Sequence, residues 1–382
     1  MTPQARRAGV LVAALALLVG CTLTGRHEPD PTPTGSAGLR LVPGCPPPPT
    51  NRQRPTVAEV NKIGTAIDLP TWQAGDIGAS GRLSDGRLVW LFGDTTRPTL
   101  NPPIVANSML VSSGKCISQL LGSDQGPVIP DVSADVVRWP MSVAIGRQHG
   151  HDVVLVLCSR IDRGNSGSFG FTFLGTSAAV FEVEKDRAPQ LEKVVDITPD
   201  SRSKTQVNWG AAATVHGGWF YVYGTRLTGH PYDFGRELYL ARTPAADPGN
   251  RKRWQIWDGA GWSSKAARAA AVLPSRGGVS QTLSVDNSGG RWVAVSKRDG
   301  DISDFVYTWT APNPWGPWTP VKELKAPGGF DTGNLEYAPL AHPEVTLKSG
   351  ELLVSISRHT TDLQRLFKHP EVGRPEFVQL PR

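Results

Sequence analysis

The stretch "GDIGASGRLSDGRLVWLFGDTTR", Gly75 to Arg97, opens and closes one hairpin with an aspartate, Asp76 and Asp94, each directly after a glycine. In an antiparallel hairpin, residues equidistant from the turn face each other, with Cα atoms about 4.5–5.5 Å apart. A turn centred on Asp85 therefore sets Asp76 opposite Asp94, and facing like charges cost stability unless a site uses them. In a partly desolvated pocket, neighbouring carboxylates have their pKa values pushed apart, so that one keeps its proton while the other is charged. Glycoside hydrolysis uses such a pair: an acid protonates the leaving oxygen, and a base or nucleophile works at the anomeric carbon. Should the two aspartates stand too close for an inverting pair, Glu336 in "NLEYAPLAHPE" is a further acid/base candidate. A two-residue turn at Asp85–Gly86 would instead send Asp94 to the other face.

The elements that must carry these groups repeat. Four more hairpins share the pattern: "WPMSVAIGRQHGHDVVLVLCSR", "WGAAATVHGGWFYVYGTR", "SQTLSVDNSGGRWVAVSKR" and "YAPLAHPEVTLKSGELLVSISR". Each pairs a first strand of small or polar residues with a Gly-containing turn and a strongly apolar second strand. The period is about 65 residues, which leaves room for two further strands per unit, as in "ELYLARTP" and "DFVYTWTAP". Four-stranded units repeated radially make a β-propeller. Double-sided burial between blades explains runs such as "VVLVL" that do not alternate. The expected architecture is all-β, with five four-stranded blades, and "NKIGTAIDLP" is expected to complete the last sheet.

Folding each hairpin about its glycine turn sets Pro140 opposite Arg160, Trp209 opposite Arg226, Gln281 opposite Lys297 and His342 opposite Arg358. All these pairs fall at the blade end that holds Asp76 and Asp94. The expected mouth thus gathers Trp139 and Trp209 as aromatic faces for sugar rings. Arg160, Asn208, Arg226, Gln281, Lys297, Tyr337, His342 and Arg358 are its expected hydrogen-bonding groups. Trp254, Trp257, Trp262, Trp315 and Trp318 fall in outer-strand segments, where packing is the expected role.

The chain of 382 residues holds 41 Gly, 33 Pro and 12 Trp, a composition of many turns and many aromatics. Its formal charge of +6 is mild and scattered, and no segment resembles a nucleic-acid binding module. At the N-terminus, Arg6 and Arg7 precede an apolar run from Val10 to Val19 that ends in "LVGC". That pattern resembles a bacterial lipobox, with a signal peptide over 1–21, lipidation at Cys21 and a Pro/Gly/Thr-rich tether over 22–55 before a propeller over 56–382. The expected location is extracytoplasmic, held to the membrane by acyl chains, and the expected state is a monomer. Cys45 and Cys116 lie in loop-like settings open to a disulfide, whereas Cys158 inside "VVLVLCSR" reads as a small core residue. No metal site is expected from the Cys, His and Asp spacing and no cofactor is named, while occupancy of the channel by a cation such as calcium is left open.

At "GDIG…LVWLFGDT", "VNWGAAA", "NPWGPW" and "EYAPLAHPE…GELLVSISR" the chain resembles domain-of-unknown-function family 4185, grouped with glycoside hydrolase family 183. The resemblance runs from about Gly64 to the C-terminus and is most specific around Asp76 and Asp94. It implies an endo-acting D-arabinanase on a five-bladed propeller, with these aspartates as the catalytic pair. The implied partner is a cell-wall polysaccharide, the D-arabinan of arabinogalactan or lipoarabinomannan. The alternative reading is a non-catalytic propeller that binds glycan or a protein through the same mouth.

Overall fold

The computed structural model describes residues 38–49, 53–164, 170–329 and 331–382. The signal peptide, Cys21 and most of the expected tether lie outside the described residues. The fold is a five-bladed β-propeller. Blade one is built from Ala74–Arg82, Leu88–Thr96, Ser108–Ser113 and Cys116–Leu121, and blade two from Val136–Gln148, His151–Asp162, Thr172–Val183 and Gln190–Asp196. Blade three follows with Asn208–His216, Trp219–Arg226, Glu237–Pro244 and Gln255–Trp257, and blade four with Ser284–Ser288, Arg291–Lys297, Phe305–Ala311 and Thr319–Lys325. Blade five has three strands, Asn334–Thr346, Leu352–Thr360 and Glu376–Leu380.

The two-sided apolar strands explain how the ring holds together. Along His151–Asp162, Val154, Val156 and Cys158 pack toward blade one, while Val153, Leu155 and Leu157 pack toward blade three. Each seam between neighbouring blades is thus a separate apolar layer fed by alternate residues of the same strand. The small first strands fit where the sheets crowd. Ala211, Ala212 and Ala213 are buried, and Gly210 adopts φ +93° with Leu157 so close that a Cβ would overlap it. Cys158 is a free, fully buried thiol, raised to about 12 by that burial. Of the outer tryptophans, Trp257 and Trp315 stack with centroids 4.3 Å apart, and Trp254 is buried against Ile256 and Tyr239.

Two expectations about the chain ends are corrected. The segment "NKIGTAIDLP" adds no strand to blade five. Val57–Thr65 is a capped helix, closed by a Thr56–Glu59 capping box and bound through Asn61 to both backbone groups of Phe377. The tether expected over 22–55 also ends earlier. Arg40–Val42 pairs with Cys116–Leu121 as a fifth strand of blade one, and a Cys45–Cys116 disulfide with Cα atoms 5.8 Å apart ties down the proline run that follows. The disulfide joins the two cysteines whose settings left them open to pairing, whereas a three-residue edge strand leaves no apolar periodicity to read.

Four of the five first strands are bulged near their start. The register shifts at Gly75–Ala79, Pro140–Ser142, Trp209–Ala212 and Tyr337–Leu340. A bulge bends its strand and re-aims the side chains around it. The bulges therefore lie at one common end of the blades, where first strands begin and second strands finish.

Candidate functional site

In blade one the frame is the one centred on Asp85, with Ser80 opposite Trp90 and Gly75 opposite Thr95. Between them the bulge puts Asp76 across from Gly93 and Asp94. Ile77 adopts φ +68°, a left-handed conformation costly for a β-branched residue, and its N–H donates to Ser357 Oγ at 2.9 Å. This strained turn delivers the Asp76 carboxyl over Gly93, where any Cβ would overlap Asp76 Oδ1. Glycine at 93 is thus a requirement of the carboxyl itself.

Tyr337 in blade five donates its hydroxyl to Asp76 Oδ2 at 2.9 Å, and Asp76 Oδ1 is buried with no hydrogen-bond partner. Asp94, 34% exposed at its side chain, accepts on Oδ1 from Trp139 Nε1 at 2.9 Å and from Arg163 in a close ion pair. The Arg163 guanidinium also lies over the Trp139 ring, 5.6 Å from its centroid, and Phe171 meets that ring edge-on at 4.9 Å. His359 stands near enough to favour charge on Asp94.

Burial raises Asp76 to about 6 and Asp94 to about 7, and Asp76's negative charge contributes to the second rise. Near neutral pH the pair therefore holds about one proton. When Asp76 carries it, the charge that raises Asp94 is gone, and the Arg163 and Trp139 donors hold Asp94 as the anion. Asp76 accepts from the neutral Tyr337 hydroxyl, while backbone N–H groups and the Arg163 charge lower it less. The pair titrates as a unit, and the Arg163 ion pair favours leaving the negative charge on Asp94.

A stability prediction arises here. Asp76 binds its proton more tightly in the folded protein than in the unfolded chain. Its contribution is full below about pH 4 and is lost as pH rises through 6. Asp76→Asn is expected to unfold at higher temperature than the parent at pH 8, with the gain vanishing near pH 4. Thermal unfolding at the two pH values checks this.

The other expected site residues divide. Trp139 and Tyr337 meet the carboxylates. Glu336 faces Arg358 across blade five and senses Glu376 and Lys297, so it belongs to a neighbouring cluster away from the pair. Arg160, 1% exposed, is tied to Asp196 at 2.9 Å and Asp200 at 2.6 Å, and it braces blade two rather than a sugar. Trp209 is a core residue packed on Tyr239, and Asn208 is buried against Ser159. Lys297 is fully buried, donating to the carbonyls of Ala326 and Glu336, and burial lowers it to about 8.

His342 is enclosed between Ser80 and Ser355, with Trp90 tilted against it, and burial lowers it to about 3. Arg358 is held by Arg374 and Glu371 carbonyls and by Glu376. Arg226 pairs with Glu237 over the Tyr239 ring, and Gln281 accepts from Arg236. The expected facing pairs of blades two, three and five fail because the bulges shift the register past them, and in blade four Gln281 precedes the first strand, which begins at Ser284. Pro140 faces Cys158, Trp209 faces Gly224, and Arg358 faces Glu336.

Arg163 and His359 escaped the sequence reading. His359 directly follows Arg358, and Arg163 lies three residues past Arg160, just beyond the second strand of blade two. A cavity of about 930 Å³ lies apart from the carboxylates, between the Val57–Thr65 helix and blades one and five, lined by Ile63, Trp72, Trp90 and Phe377 among others. Among the described residues, no group of three His, Cys, Asp or Glu side chains is placed to hold a metal ion.

Comparison with solved structures finds chains of similar fold. A candidate hydrolase from Bacteroides ovatus ATCC 8483 superposes with TM-score 0.64 at 18% identity, over 90% of this chain and 93% of that one. A GH43_1 enzyme from Xanthomonas citri complexed with xylose gives TM-score 0.45 at 12% identity, over 84% and 93%. No curated protein matches in sequence. The sequence profile of the domain of unknown function DUF5005 matches residues 64–381, which spans all five blades and both aspartates. The matching profile is that of DUF5005, where the sequence motifs point to family 4185. The chain belongs to the DUF5005 family, on a five-bladed propeller whose mouth joins Asp76, Asp94, Tyr337, Trp139 and Arg163.

Proposed function

We propose that this protein is a glycoside hydrolase in which Asp76 is the general acid and Asp94 the base or nucleophile. One observation carries the reading: two neighbouring carboxyls are raised toward neutral pH, and the direct ion pair with Arg163 is made by Asp94. A glycosidase needs that asymmetry, since one group must enter the reaction with a proton and the other without. Tyr337 orients the Asp76 carboxyl, and Trp139 and Arg163 fix Asp94. Arg163 also offers a cation to the hydroxyls of a bound sugar. The rate is expected to peak between about pH 6 and 7, where the pair holds one proton.

The substrate class we assign is a furanoside polymer, the D-arabinan of arabinogalactan and lipoarabinomannan, cleaved within the chain. This rests on the motifs shared with family 4185. A lipid anchor at Cys21 would hold the enzyme against such an envelope polymer. The test is incubation of the purified protein with arabinogalactan, lipoarabinomannan and a panel of xylans and galactans, followed by chromatography of released oligosaccharides. Arabinose-containing oligomers support the reading. Products from xylan or galactan alone would remove the substrate assignment and keep the hydrolase. No product from any polymer would remove the hydrolase as well.

A further inference from the structure

Three loops that follow second strands carry large apolar side chains into solvent on the face that holds Asp76 and Asp94. Phe171 follows blade two and packs on Trp139 at the carboxylates themselves. The other two loops follow blades three and four. There Tyr232 is 92% exposed, Phe234 67% and Ile302 55%. Single exposed apolar residues are ordinary, but a cluster on one face marks a contact surface.

The backbone beneath this cluster is strained and braced. Tyr232 adopts φ +66° and Asp299 φ +63°, conformations that cost free energy for non-glycine residues and persist only when neighbours enforce them. Asp233 supplies the enforcement, accepting from Thr228 Oγ1 at 3.2 Å and from Ser275 Oγ at 2.6 Å. The two loops also dovetail through glycines. A Cβ at Gly300 would reach Phe234 O at 2.8 Å, and one at Gly235 would overlap Ser275 O. The loops hold their exposed rings in fixed positions instead of letting them fold back onto the sheet.

Beside this platform lies a hollow of about 300 Å³ lined by Arg298, Asp299, Ser303, Phe305 and Tyr307. That volume is at the low end of the range of about 300–1,000 Å³ found for small-molecule sites. The Arg298 guanidinium lies 5.3 Å from the Tyr307 ring centroid, which sets a cation beside an aromatic face. Flat apolar rings match the C–H faces of sugars, and guanidinium and carboxylate groups match their hydroxyls.

From this placement we infer that the Tyr232–Phe234 loop and the Arg298–Tyr307 hollow form a remote saccharide subsite, which takes a ring of the same polysaccharide strand that reaches Asp76 and Asp94. The inference rests on the glycoside hydrolase reading and adds to it. A site across the propeller face selects long chains over short ones and favours cleavage within a polymer. Its binding free energy comes from sugar units far from the scissile bond.

The experiment uses the full chain and the double variant Tyr232→Ala/Phe234→Ala, after thermal unfolding shows the two to be equally stable. Hydrolysis of arabinogalactan and of a short chromogenic arabinofuranoside is compared. On the polymer, kcat/KM is expected to fall about tenfold, the loss of one well-packed aromatic anchor, with less than a twofold change on the short substrate. Equal losses on both substrates, or none on either, overturn the inference and leave the hydrolase standing. If neither protein hydrolyses anything, retardation in arabinogalactan-containing gels decides. A parent retarded and a double variant released uphold the subsite without the hydrolase. A parent that is not retarded overturns the subsite, as does a double variant retarded like the parent.

Discussion

Asp94→Asn is expected to lower kcat on any accepted glycan by about three to four orders of magnitude, with KM changed little. The asparagine keeps the size of the side chain and an oxygen for Trp139 Nε1, so the pocket survives while the charge does not. Added azide should restore turnover in the truncated variant Asp94→Ala, because a small anion fits the space left by the missing carboxylate. Asp76→Asn should fail differently. Without its proton donor, cleavage of a natural alcohol leaving group should fall by a similar factor. Aryl glycosides with acidic leaving groups need no protonation and should keep much of their rate. Rescue by azide in Asp76→Ala and not in Asp94→Ala would reverse the two roles. Loss of neither activity would remove the pair from the chemistry. Tyr337→Phe tests the same assignment more gently: it removes the donor that lowers Asp76 and should move the alkaline limb of the pH–rate profile to higher pH.

The Asp76–Asp94 convergence was legible because it depends on one turn and one frame. The five-residue connection Leu83–Arg87 keeps Asp85 at its centre, and Ser80 opposite Trp90 follows directly. The propeller was legible for a similar reason, since apolar runs buried on both sides and a regular spacing admit few other architectures. The cationic ring was not. Arg160, Lys297, His342 and Arg358 occupy comparable places at second-strand ends or in the fifth first strand, yet each is enclosed by carbonyls, carboxylates or hydroxyls.

Simple hairpin folding counts residues evenly from the turn, and a bulge breaks that count. In blade five the count is off by six between His342 and Arg358, whose actual partner is Glu336. Bulges leave no signature in hydrophobic alternation, although glycine at 78 and 210 is a partial one. The residues that do meet the carboxylates sit beside such irregularities: Tyr337 precedes Ala338 at φ +43°, and Trp139 precedes the Pro140 shift.

Arg160 gives the sharpest contrast between the two kinds of role. As a sugar ligand, its replacement would raise KM and leave stability alone. The structure supports the reverse. Its guanidinium, nearly all its donors used, bridges Asp196 and Asp200 and also bonds the Thr176 and Thr198 carbonyls at 2.8 and 2.6 Å. These contacts tie the second strand of blade two to the third strand and to the segment that leads into blade three. Gly175 leaves the room it needs, since a Cβ there would overlap the guanidinium. Arg160→Ala is expected to cost about 2–3 kcal/mol, because the Thr176 and Thr198 carbonyls lose a donor, while the half-exposed Asp196 and Asp200 carboxylates turn to water. The unfolding temperature should fall by on the order of 10 °C. Arg160→Lys should recover little of this, since a single ammonium cannot reproduce a planar fork that serves both carboxylates. Gly175→Ala should resemble Arg160→Ala in unfolding temperature. Below their unfolding temperatures, all three variants should keep the parent's KM for glycan. A raised KM with an unchanged unfolding temperature would return Arg160 to the binding site.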